Sequence, residues 1–534
     1  MTLTTSHRPP DKREPLADRT VGALLHEAAA ATPDGVALVE GAAAGGHGRR
    51  WTYAALAAEA ELVARRLSVD FAPGERLAVW APGLPEWEIL QLGAALAGLV
   101  LVPLNPAYRL GELIHALRLS GASGIFLVRE HRGVSLTGVL DAARSDVPSL
   151  RRTMFFEDWT DYCGQGAGSC SGPLPAVKAT DPVQIQFTSG TTGAPKGALL
   201  SHRGIVNNAR LAAQRARVAD GGVWLNPLPM FHTGGCVFNA LGAMATCAAH
   251  VLQPTFDAGT ALELVESERV TFLCAVPTML LAMIEHPDFP GRDISSLEHV
   301  LSGGAPIAPE LVRRFEATLG VRYLMVYGQT EAGPTVTMTA PGDSDADKAE
   351  TIGFPLPHTE ARIVDRDGRV VPVGESGELC LRGYGVMLGY FGAGADSQPF
   401  DADGWLRTGD LCSMDGRGYL RITGRLKDVI IRGGENISPR EVEDALCAHP
   451  AVSEVAVAGV PDPRYGEQVA AWVRLAPGAT AAEEDLADYL RERLARHKVP
   501  TAWRFVDDLP RTPSGKVQKF LLAEQFPTPS AARR

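Results

Sequence analysis

Ten consecutive residues in the first half of the chain combine hydroxyls, glycines and a lysine in one short segment. Residues 187–196 are F-T-S-G-T-T-G-A-P-K, with Pro195 and Lys196 at the end. Hydroxyls, backbone amides and one fixed positive charge are the groups that bind a polyphosphate. A polar surface turn is the alternative interpretation. We predict a phosphate-binding loop with the ligands Thr188, Ser189, Gly190, Thr191, Thr192, Gly193 and Lys196.

The residues on both sides of this loop are apolar and predict two strands. One covers residues 183–187 before the loop, and the other covers residues 197–200 after it. The segment is therefore predicted to be a hairpin loop and not a strand-to-helix turn. It also does not match the G-x-x-x-x-G-K-[ST] phosphate loop.

Further motifs follow the loop along the chain. In order, they are Tyr327-Gly328-Gln329-Thr330-Glu331, Thr408-Gly409-Asp410, Gly424-Arg425-Leu426-Lys427-Asp428 with Gly433-Gly434-Glu435-Asn436, and Pro513-Ser514-Gly515-Lys516. Together with the loop they resemble the motifs of the adenylate-forming superfamily, which includes acyl-CoA synthetases, peptide-synthetase adenylation domains and firefly-type luciferases. The resemblance extends over about residues 20 to 520.

The resemblance implies an acid-thiol ligase that uses ATP, Mg²⁺ and coenzyme A. A carboxylic acid would become an acyl-adenylate with release of pyrophosphate, and its acyl group would then pass to the CoA thiol. Transfer to the phosphopantetheine arm of an acyl carrier protein, or to a nitrogen nucleophile, fits the same motifs. A nucleotide-binding regulator without chemistry is another class of function. It predicts loss of Glu331 or Lys516, and both are present.

The chemistry of adenylation indicates where charged groups are needed. Negative charge builds on the phosphoryl oxygens and on the departing pyrophosphate, so cations and donors must lie at both places. Mg²⁺ prefers one or two carboxylates with phosphate oxygens, and Glu331 is the predicted metal ligand. By resemblance, Thr330 contacts the α-phosphate. The alternative for Thr330 and Glu331 is a helix start with an acid in its first turn.

The nucleoside site is predicted from the remaining motifs. Asp410 matches the residue that accepts from the ribose hydroxyls, and Arg425 is the expected second contact. Gly303, Gly304 and Ala305 resemble the segment against the adenine face, where glycine admits close backbone approach. The motif residues before Thr330 are assigned to the same site: Tyr327, Gly328 and Gln329.

Two lysines and a glycine pair are predicted to serve the C-terminal part of the reaction. Lys516 resembles the mobile catalytic lysine that reaches the carboxylate and α-phosphate, with a solvated surface lysine as the alternative. Lys427 matches the hinge position that absorbs backbone rotation. Gly433 and Gly434 resemble the loop that lines the pantetheine tunnel.

The acid that is activated is predicted to be apolar. Residues 228–235, L-P-M-F-H-T-G-G, resemble the P-x-x-H segment near the acyl pocket, so His232 either gates that pocket or is a packed neutral core histidine. No acid follows Met230 until Asp257, whereas an amino-acid pocket needs a carboxylate. Whether the acid is fatty, aromatic or polycyclic stays open. Candidate wall residues are Val237, Met279, Val326 and Thr335.

Alternating elements predict an α/β fold with two domains. Helical spacing over 54–67 and 87–97 alternates with strands at 76–80 and 100–104, which is typical of parallel sheets covered by helices. Short strands and turns over about 351–423 predict a small, largely antiparallel β subdomain. We predict a large N-terminal domain of stacked mixed sheets with helices over 1–425. A small mobile α+β domain is predicted over 426–534.

Length and composition are those of an ordinary soluble globular protein. The chain has 534 residues and a formal charge of −11, which argues against general binding to nucleic acid. The first ten residues lack the apolar core of a signal peptide, and no stretch predicts a membrane span. The eight cysteines lack C-x-x-C spacing and are predicted to be reduced and buried in a cytoplasmic protein. Monomer and homodimer stay open.

Overall fold

The computed structural model describes residues 2–41, 48–164, 172–188, 195–303, 309–394, 397–433, 435–511 and 517–526. Its strands in chain order are β1 His7–Arg8, β2 Val36–Glu40, β3 Arg50–Thr52, β4 Arg76–Trp80, β5 Val100–Leu104, β6 Gly124–Leu127, β7 Glu130–His131, β8 Val134–Ser135, β9 Arg152–Phe155, β10 Pro182–Thr188, β11 Lys196–Ser201, β12 Val223–Asn226, β13 Ala249–Leu252, β14 Phe272–Cys274, β15 His299–Gly303, β16 Arg322–Tyr327, β17 Thr337–Met338, β18 Phe354–Pro355, β19 Thr359–Val364, β20 Gly377–Gly383, β21 Leu406–Met414, β22 Leu420–Arg425, β23 Ile430–Arg432, β24 Glu435–Ile437, β25 Val452–Asp462, β26 Gly466–Leu475 and β27 Ala502–Phe505.

The helices surround these strands. They are α1 Val21–Ala31, α2 Tyr53–Asp70, α3 Pro85–Leu96, α4 Leu110–Ser120, α5 Leu136–Ala143, α6 Trp159–Gly164, α7 His202–Ala216, α8 Ala240–Ala245, α9 Ala258–Ser267, α10 Pro277–Ile284, α11 Pro309–Leu319, α12 Asp345–Glu350, α13 Pro439–Cys447, α14 Glu483–Arg491 and α15 Lys519–Ala523. Within the described ranges, none of them is both long enough and apolar enough to span a bilayer.

Two large sheets build the first part of the molecule. One has the order β11-β10-β5-β4-β6-β9, and the other has the order β18-β17-β16-β15-β14-β12-β13-β2-β3. Their inner strands are parallel. Antiparallel strands lie at the β11 end of the first sheet and at both ends of the second sheet. Strands such as β5 are buried along their whole length, which a parallel sheet covered on both faces requires.

Helices between the two sheets hold them together. α3 contacts β5 of the first sheet and β2 of the second, while α7 contacts β11 and α8 contacts β12. Close packing in this layer depends on small residues. A Cβ on Gly93 of α3 would lie 2.6 Å from the Val63 side chain of α2. The prediction of stacked mixed sheets with covering helices is confirmed.

A smaller antiparallel sheet carries the later motifs. Its order is β1-β19-β20-β21-β22, so the predicted β subdomain is confirmed and gains one strand that the sequence did not predict. That strand is β1, which pairs with β19. The His7 ring also bonds Glu360 of β19, with 2.8 Å between Nε2 and Oε1.

The chain after this sheet forms its own sheet and core. β24-β23-β26-β25 are paired in that order, with β27 alongside β26. α13 and α14 cover this sheet and bury an apolar cluster that includes Ile430, Val442, Val469 and Leu486. The architecture is α+β, as predicted, and the proposed boundary after residue 425 stays a prediction.

The cysteines depart in part from their predicted burial. Every cysteine in the described ranges is a free thiol. Cys447 is exposed and Cys247 is half-buried, so the prediction of burial is wrong for these two. Cys170 lies outside the described residues.

Candidate active site

The segment predicted to bind phosphate lies between β10 and β11 in the chain, and these two strands form a hairpin. β10 and β11 pair antiparallel, with Thr188 opposite Lys196. The Thr188 hydroxyl donates to the Lys196 carbonyl at 3.4 Å. Residues 183–186 of β10 are buried, which fixes the strand that leads into the loop. The predicted hairpin is confirmed.

Nine predicted site residues lie outside the described residues, and their roles stay predictions. They are Ser189, Gly190, Thr191, Thr192, Gly193, Gly304, Ala305, Gly434 and Lys516.

The predicted metal ligand Glu331 lies in a single 3-10 turn, Thr330–Ala332. The Glu331 carbonyl accepts from the Met387 amide at 2.8 Å, and its Oε1 accepts from the Tyr390 hydroxyl at 2.8 Å. In the described part of the chain, no hydrogen bond reaches Oε2. A carboxylate oxygen of this kind fits Mg²⁺, which prefers oxygen ligands. The turn is only three residues long, so Glu331 is not the start of a regular helix.

Asp410 is the most strongly bound acid of the site. It is 2% exposed, and its Oδ2 accepts from the Tyr327 hydroxyl at 2.6 Å and from Gln329 Nε2 at 2.7 Å. Its Oδ1 pairs with Arg425 Nε at 2.8 Å. A carboxylate has about four acceptor positions, so this arrangement leaves room for a ribose hydroxyl. Asp410 is thus held in a fixed orientation by three donors.

The strands explain why these groups meet. Asp410 in β21 lies directly opposite Arg425 in β22. Tyr327 is the last residue of β16, and its hydroxyl reaches across to the small sheet. Burial, together with the negative charge of Asp410, raises the pKa of Tyr327 well above its usual value. The phenol therefore stays protonated and acts as a donor.

Two predicted glycines are required by the backbone itself. Gly303 ends β15 opposite Val326 of β16, and a Cβ there would lie 2.1 Å from the Val326 carbonyl oxygen. A Cβ on Gly328 would lie 1.5 Å from the Pro334 carbonyl oxygen. Close packing of neighbouring chain segments thus explains both glycines, and their contact with adenine stays a prediction.

Lys427 lies in the 3-10 turn Leu426–Asp428, between β22 and β23. Partial burial and the positive charge of Arg425 lower its pKa. The charges of Asp428, Asp410 and Glu331 oppose this shift. The charges of three predicted site residues, Arg425, Asp410 and Glu331, therefore act on the predicted hinge residue.

Gly433 is positioned by the turn between β23 and β24. Its φ of +59° is in the left-handed region that favours glycine. Its amide donates to the Tyr465 carbonyl at 2.8 Å. The turn is thereby fixed to a neighbouring loop, and its contact with pantetheine stays a prediction.

His232 lies at the surface beside an unusual helical segment. The Gly234 amide donates to His232 Nδ1 at 3.0 Å, which places the proton of the neutral ring on Nε2. His232 is exposed, so the alternative of a packed core histidine is wrong. The π-helical turn Gly234–Asn239 follows directly, and such turns are frequent at functional sites.

The candidate wall residues do not form one cluster. Val237 and Thr335 are buried, whereas Met279 and Val326 are half-buried. Val237, Val326 and Met279 pack in three different apolar clusters. Their role in an acid pocket stays a prediction.

Sequence reasoning missed Tyr390, which bonds Glu331. It lies in a stretch between two strands of the small sheet, and no motif singles it out. The Ala198–Tyr390 bridge that brings it to the hairpin is a tertiary contact. No signal in the sequence alone could have identified it.

Comparison with known proteins identifies the family of this chain. The family model described as AMP-binding enzyme matches residues 25–391, and the model for the AMP-binding enzyme C-terminal domain matches residues 441–516. The chain belongs to the AMP-binding enzyme family.

Similar proteins cover nearly its whole length. The chain is 37% identical to the mitochondrial medium-chain acyl-CoA ligase ACSF2 of Bos taurus, over 96% of this chain and 88% of that protein. The crystal structure of ATP-bound MatB from Rhodopseudomonas palustris is similar with a TM-score of 0.86 and 30% identity, over 95% and 99% of the two chains. A fatty acyl-CoA synthetase of Mycobacterium tuberculosis has a TM-score of 0.75 and 31% identity, over 95% and 98%. These similarities confirm the predicted family and fold class.

Proposed function

We propose that the protein is an AMP-forming acyl-CoA synthetase that acts on an apolar carboxylic acid. In the first half-reaction, a carboxylate oxygen of the acid bonds to the α-phosphorus of ATP and pyrophosphate leaves. In the second, the CoA sulfur bonds to the acyl carbon, AMP leaves with the shared oxygen, and the thiol proton is released. The names of the similar proteins, an acyl-CoA ligase and an acyl-CoA synthetase, support both halves.

A series of contacts that links Asp410, Glu331 and Lys196 is the main support for this proposal. Asp410 bonds Gln329, which lies two positions before Glu331. Glu331 bonds Tyr390, whose ring centroid is 4.8 Å from Lys196 Nζ. Groups that suit ribose, a metal ion and a phosphate are therefore neighbours, although they are far apart in the sequence.

Different side chains then bind different parts of the nucleotide. Asp410 and Arg425 bind the ribose, Lys196 and the hairpin loop hold the β- and γ-phosphates, and Thr330 contacts the α-phosphate. Glu331 would hold Mg²⁺, and a metal ion bound there would supply positive charge that stabilises the departing pyrophosphate.

The C-terminal residues serve the two half-reactions in turn. Lys516 donates to the carboxylate and α-phosphate during adenylation. The turn at Lys427 lets the C-terminal part rotate, and the loop with Gly433 and Gly434 then faces the pantetheine arm.

The acid is expected to be apolar because residues 231–256, which follow Met230 in the segment that resembles the acyl-pocket motif, contain no carboxylate for an amino group. Asp257, the first acid after Met230, caps α9 by accepting from the Thr260 amide at 2.8 Å. Medium-chain fatty acids are the first candidates, since a similar protein is named for them. His232 beside the π-helical turn is the proposed gate of the pocket.

The test is to incubate the protein with ATP, Mg²⁺ and CoA and a panel of fatty, aromatic and polycyclic acids. Mass spectrometry of the products identifies the acid and the acceptor. We expect AMP and one class of acyl-CoA, and Glu331→Gln should abolish most of both. Adenylate formation without any CoA thioester would contradict the proposal and would favour a carrier protein or a nitrogen nucleophile.

A further inference from the structure

Tyr390 connects two charged groups that are proposed to face the triphosphate. Its hydroxyl donates to Glu331 Oε1 at 2.8 Å. Its ring lies under Lys196, with 4.8 Å between the ring centroid and Nζ. One side chain therefore contacts both the proposed metal ligand and the lysine of the phosphate hairpin.

The backbone around Tyr390 is fastened to that hairpin. The amides of Leu388 and Phe391 donate to the carbonyls of Leu199 and Gly197, each at 2.8 Å. Tyr390 thus forms an isolated antiparallel bridge with Ala198 of β11. These bonds connect the segment around Tyr390 to the hairpin.

The side chain of Gln398 also hydrogen-bonds the backbone of Tyr390. Its Oε1 accepts from the Tyr390 amide at 2.7 Å, and its Nε2 donates to the Tyr390 carbonyl at 3.0 Å. Gln398 thereby bonds both backbone groups of Tyr390.

The hydrogen bond uses one oxygen of the carboxylate and leaves the other. Oε1 of Glu331 is held by Tyr390, while Oε2 takes no hydrogen bond within the described ranges. Metal-bound carboxylates commonly have such a hydrogen-bonded partner, and loss of the partner typically costs about 10- to 100-fold in metal affinity or activity.

We propose that Tyr390 is a positioning residue that orients Glu331 for Mg²⁺ through its hydroxyl and Lys196 for the phosphates through its ring. The inference rests on the proposed function, because it assigns partners within that nucleotide site. It predicts two separable effects of changing Tyr390.

Tyr390→Phe removes the hydroxyl and keeps the ring. We expect the Mg²⁺ concentration for half-maximal ATP–pyrophosphate exchange to rise by about 10- to 100-fold, with most of the maximal rate regained at high Mg²⁺. Tyr390→Leu also removes the ring, and it should raise the KM for ATP even at saturating Mg²⁺.

The matched control is Tyr419→Phe. The Tyr419 hydroxyl donates to Asp343 Oδ1 at 2.8 Å, the same length as in the Tyr390 bond. In the described part of the chain, neither residue of this pair hydrogen-bonds a proposed ligand, so its loss should leave the Mg²⁺ dependence unchanged. The control shows whether a change in Mg²⁺ dependence comes from misorientation of Glu331 or from the loss of any tyrosine–carboxylate hydrogen bond.

A double-mutant cycle with Glu331→Gln tests whether Tyr390 acts through Glu331. Non-additive effects on the Mg²⁺ constant are expected, because residues in one network couple. Binding of Mn²⁺ in the presence of a non-hydrolysable ATP analogue, measured by electron paramagnetic resonance, gives the same comparison without turnover. Thermal melting of each variant reports folding.

The outcomes separate the two proposals. If Glu331→Gln weakens Mn²⁺ binding and Tyr390→Phe does not, the role of Tyr390 is overturned and the nucleotide site stands. If Glu331→Gln leaves Mn²⁺ binding unchanged, the metal assignment fails and the inference fails with it. If Tyr390→Phe slows exchange equally at all Mg²⁺ concentrations, Tyr390 is only structural.

Discussion

Replacing Asp410 by Asn perturbs the centre of the proposed nucleotide site with almost no change in side-chain shape. Asp410 serves three donors with two oxygens, Arg425 on Oδ1 and both Tyr327 and Gln329 on Oδ2. An asparagine has one carbonyl oxygen. It can therefore accept from either Arg425 or the other two donors, and its amide group cannot accept from the set that remains.

The magnitude follows from these bonds. A hydrogen bond to a charged group contributes about 1.5–3 kcal/mol. The Arg425 side chain is 36% exposed, so water replaces part of its lost partner. We therefore expect the free energy of unfolding to fall by about 1–2 kcal/mol. If the ribose loses a bond of the same kind, ATP binds roughly 10- to 150-fold more weakly, at 1.4 kcal/mol per factor of ten.

The assay compares ATP affinity with stability in the same variants. ATP binding is measured by calorimetry, the KM for ATP by pyrophosphate exchange, and stability by urea unfolding. Asp401→Asn is the matched control, because Asp401 pairs with Arg362 at 2.6 Å in the same small sheet region. We expect that control to lose stability and to keep its affinity for ATP.

Two results would refute this reasoning. Wild-type ATP affinity in Asp410→Asn would show that the carboxylate does not bind the nucleotide. An equal loss of affinity in Asp401→Asn would show that loosening of the small sheet, and not the missing acceptor, weakens binding.

Three further variants test other parts of the molecule. Lys516→Ala should slow adenylation about 100- to 1,000-fold. The same variant should convert supplied acyl-adenylate and CoA to thioester at nearly the wild-type rate. Loss of both half-reactions in a folded variant would contradict the proposed role of Lys516. Lys427→Pro fixes φ in the hinge turn, so adenylation should persist while thioester formation falls; equal losses would count against a hinge. Burial lowers the pKa of His202 to about 4, so stability from the neutral ring is complete above pH 6.5 and is lost as pH falls towards 4. His202→Asn should reduce the acid-induced fall in unfolding free energy by up to about 3 kcal/mol. Urea titrations of the wild type that give the same unfolding free energy at pH 7 and at pH 4.5 would disprove this.

The elements with the strongest physical constraint were predictable from the sequence. The strands at residues 76–80 and 100–104 have the bounds predicted for them. Both are short apolar runs, because strands covered on two faces must bury every side chain. The hairpin at Thr188 and Lys196 was predictable for a similar reason, since apolar runs flank a polar tip.

The contacts within the site were not predictable. The motifs named Asp410, Glu331 and Lys196 separately, but no spacing links Glu331 to Tyr390. That bond depends on a segment of the small sheet region pairing with β11. β1 was also missed, because two residues are too few to show a strand period.

The pairing of β1 with β19 has a consequence for folding during synthesis, because the two strands are far apart in the chain. His7 and its partner Glu360 are 353 positions apart. At about 5–20 residues per second, β1 waits roughly 20 to 70 seconds before β19 has been synthesised. A nascent chain of intermediate length thus carries the hairpin of β10 and β11 but lacks β21, the strand of Asp410. If Asp410 binds the ribose as proposed, ATP binding is acquired only after β21 has been synthesised.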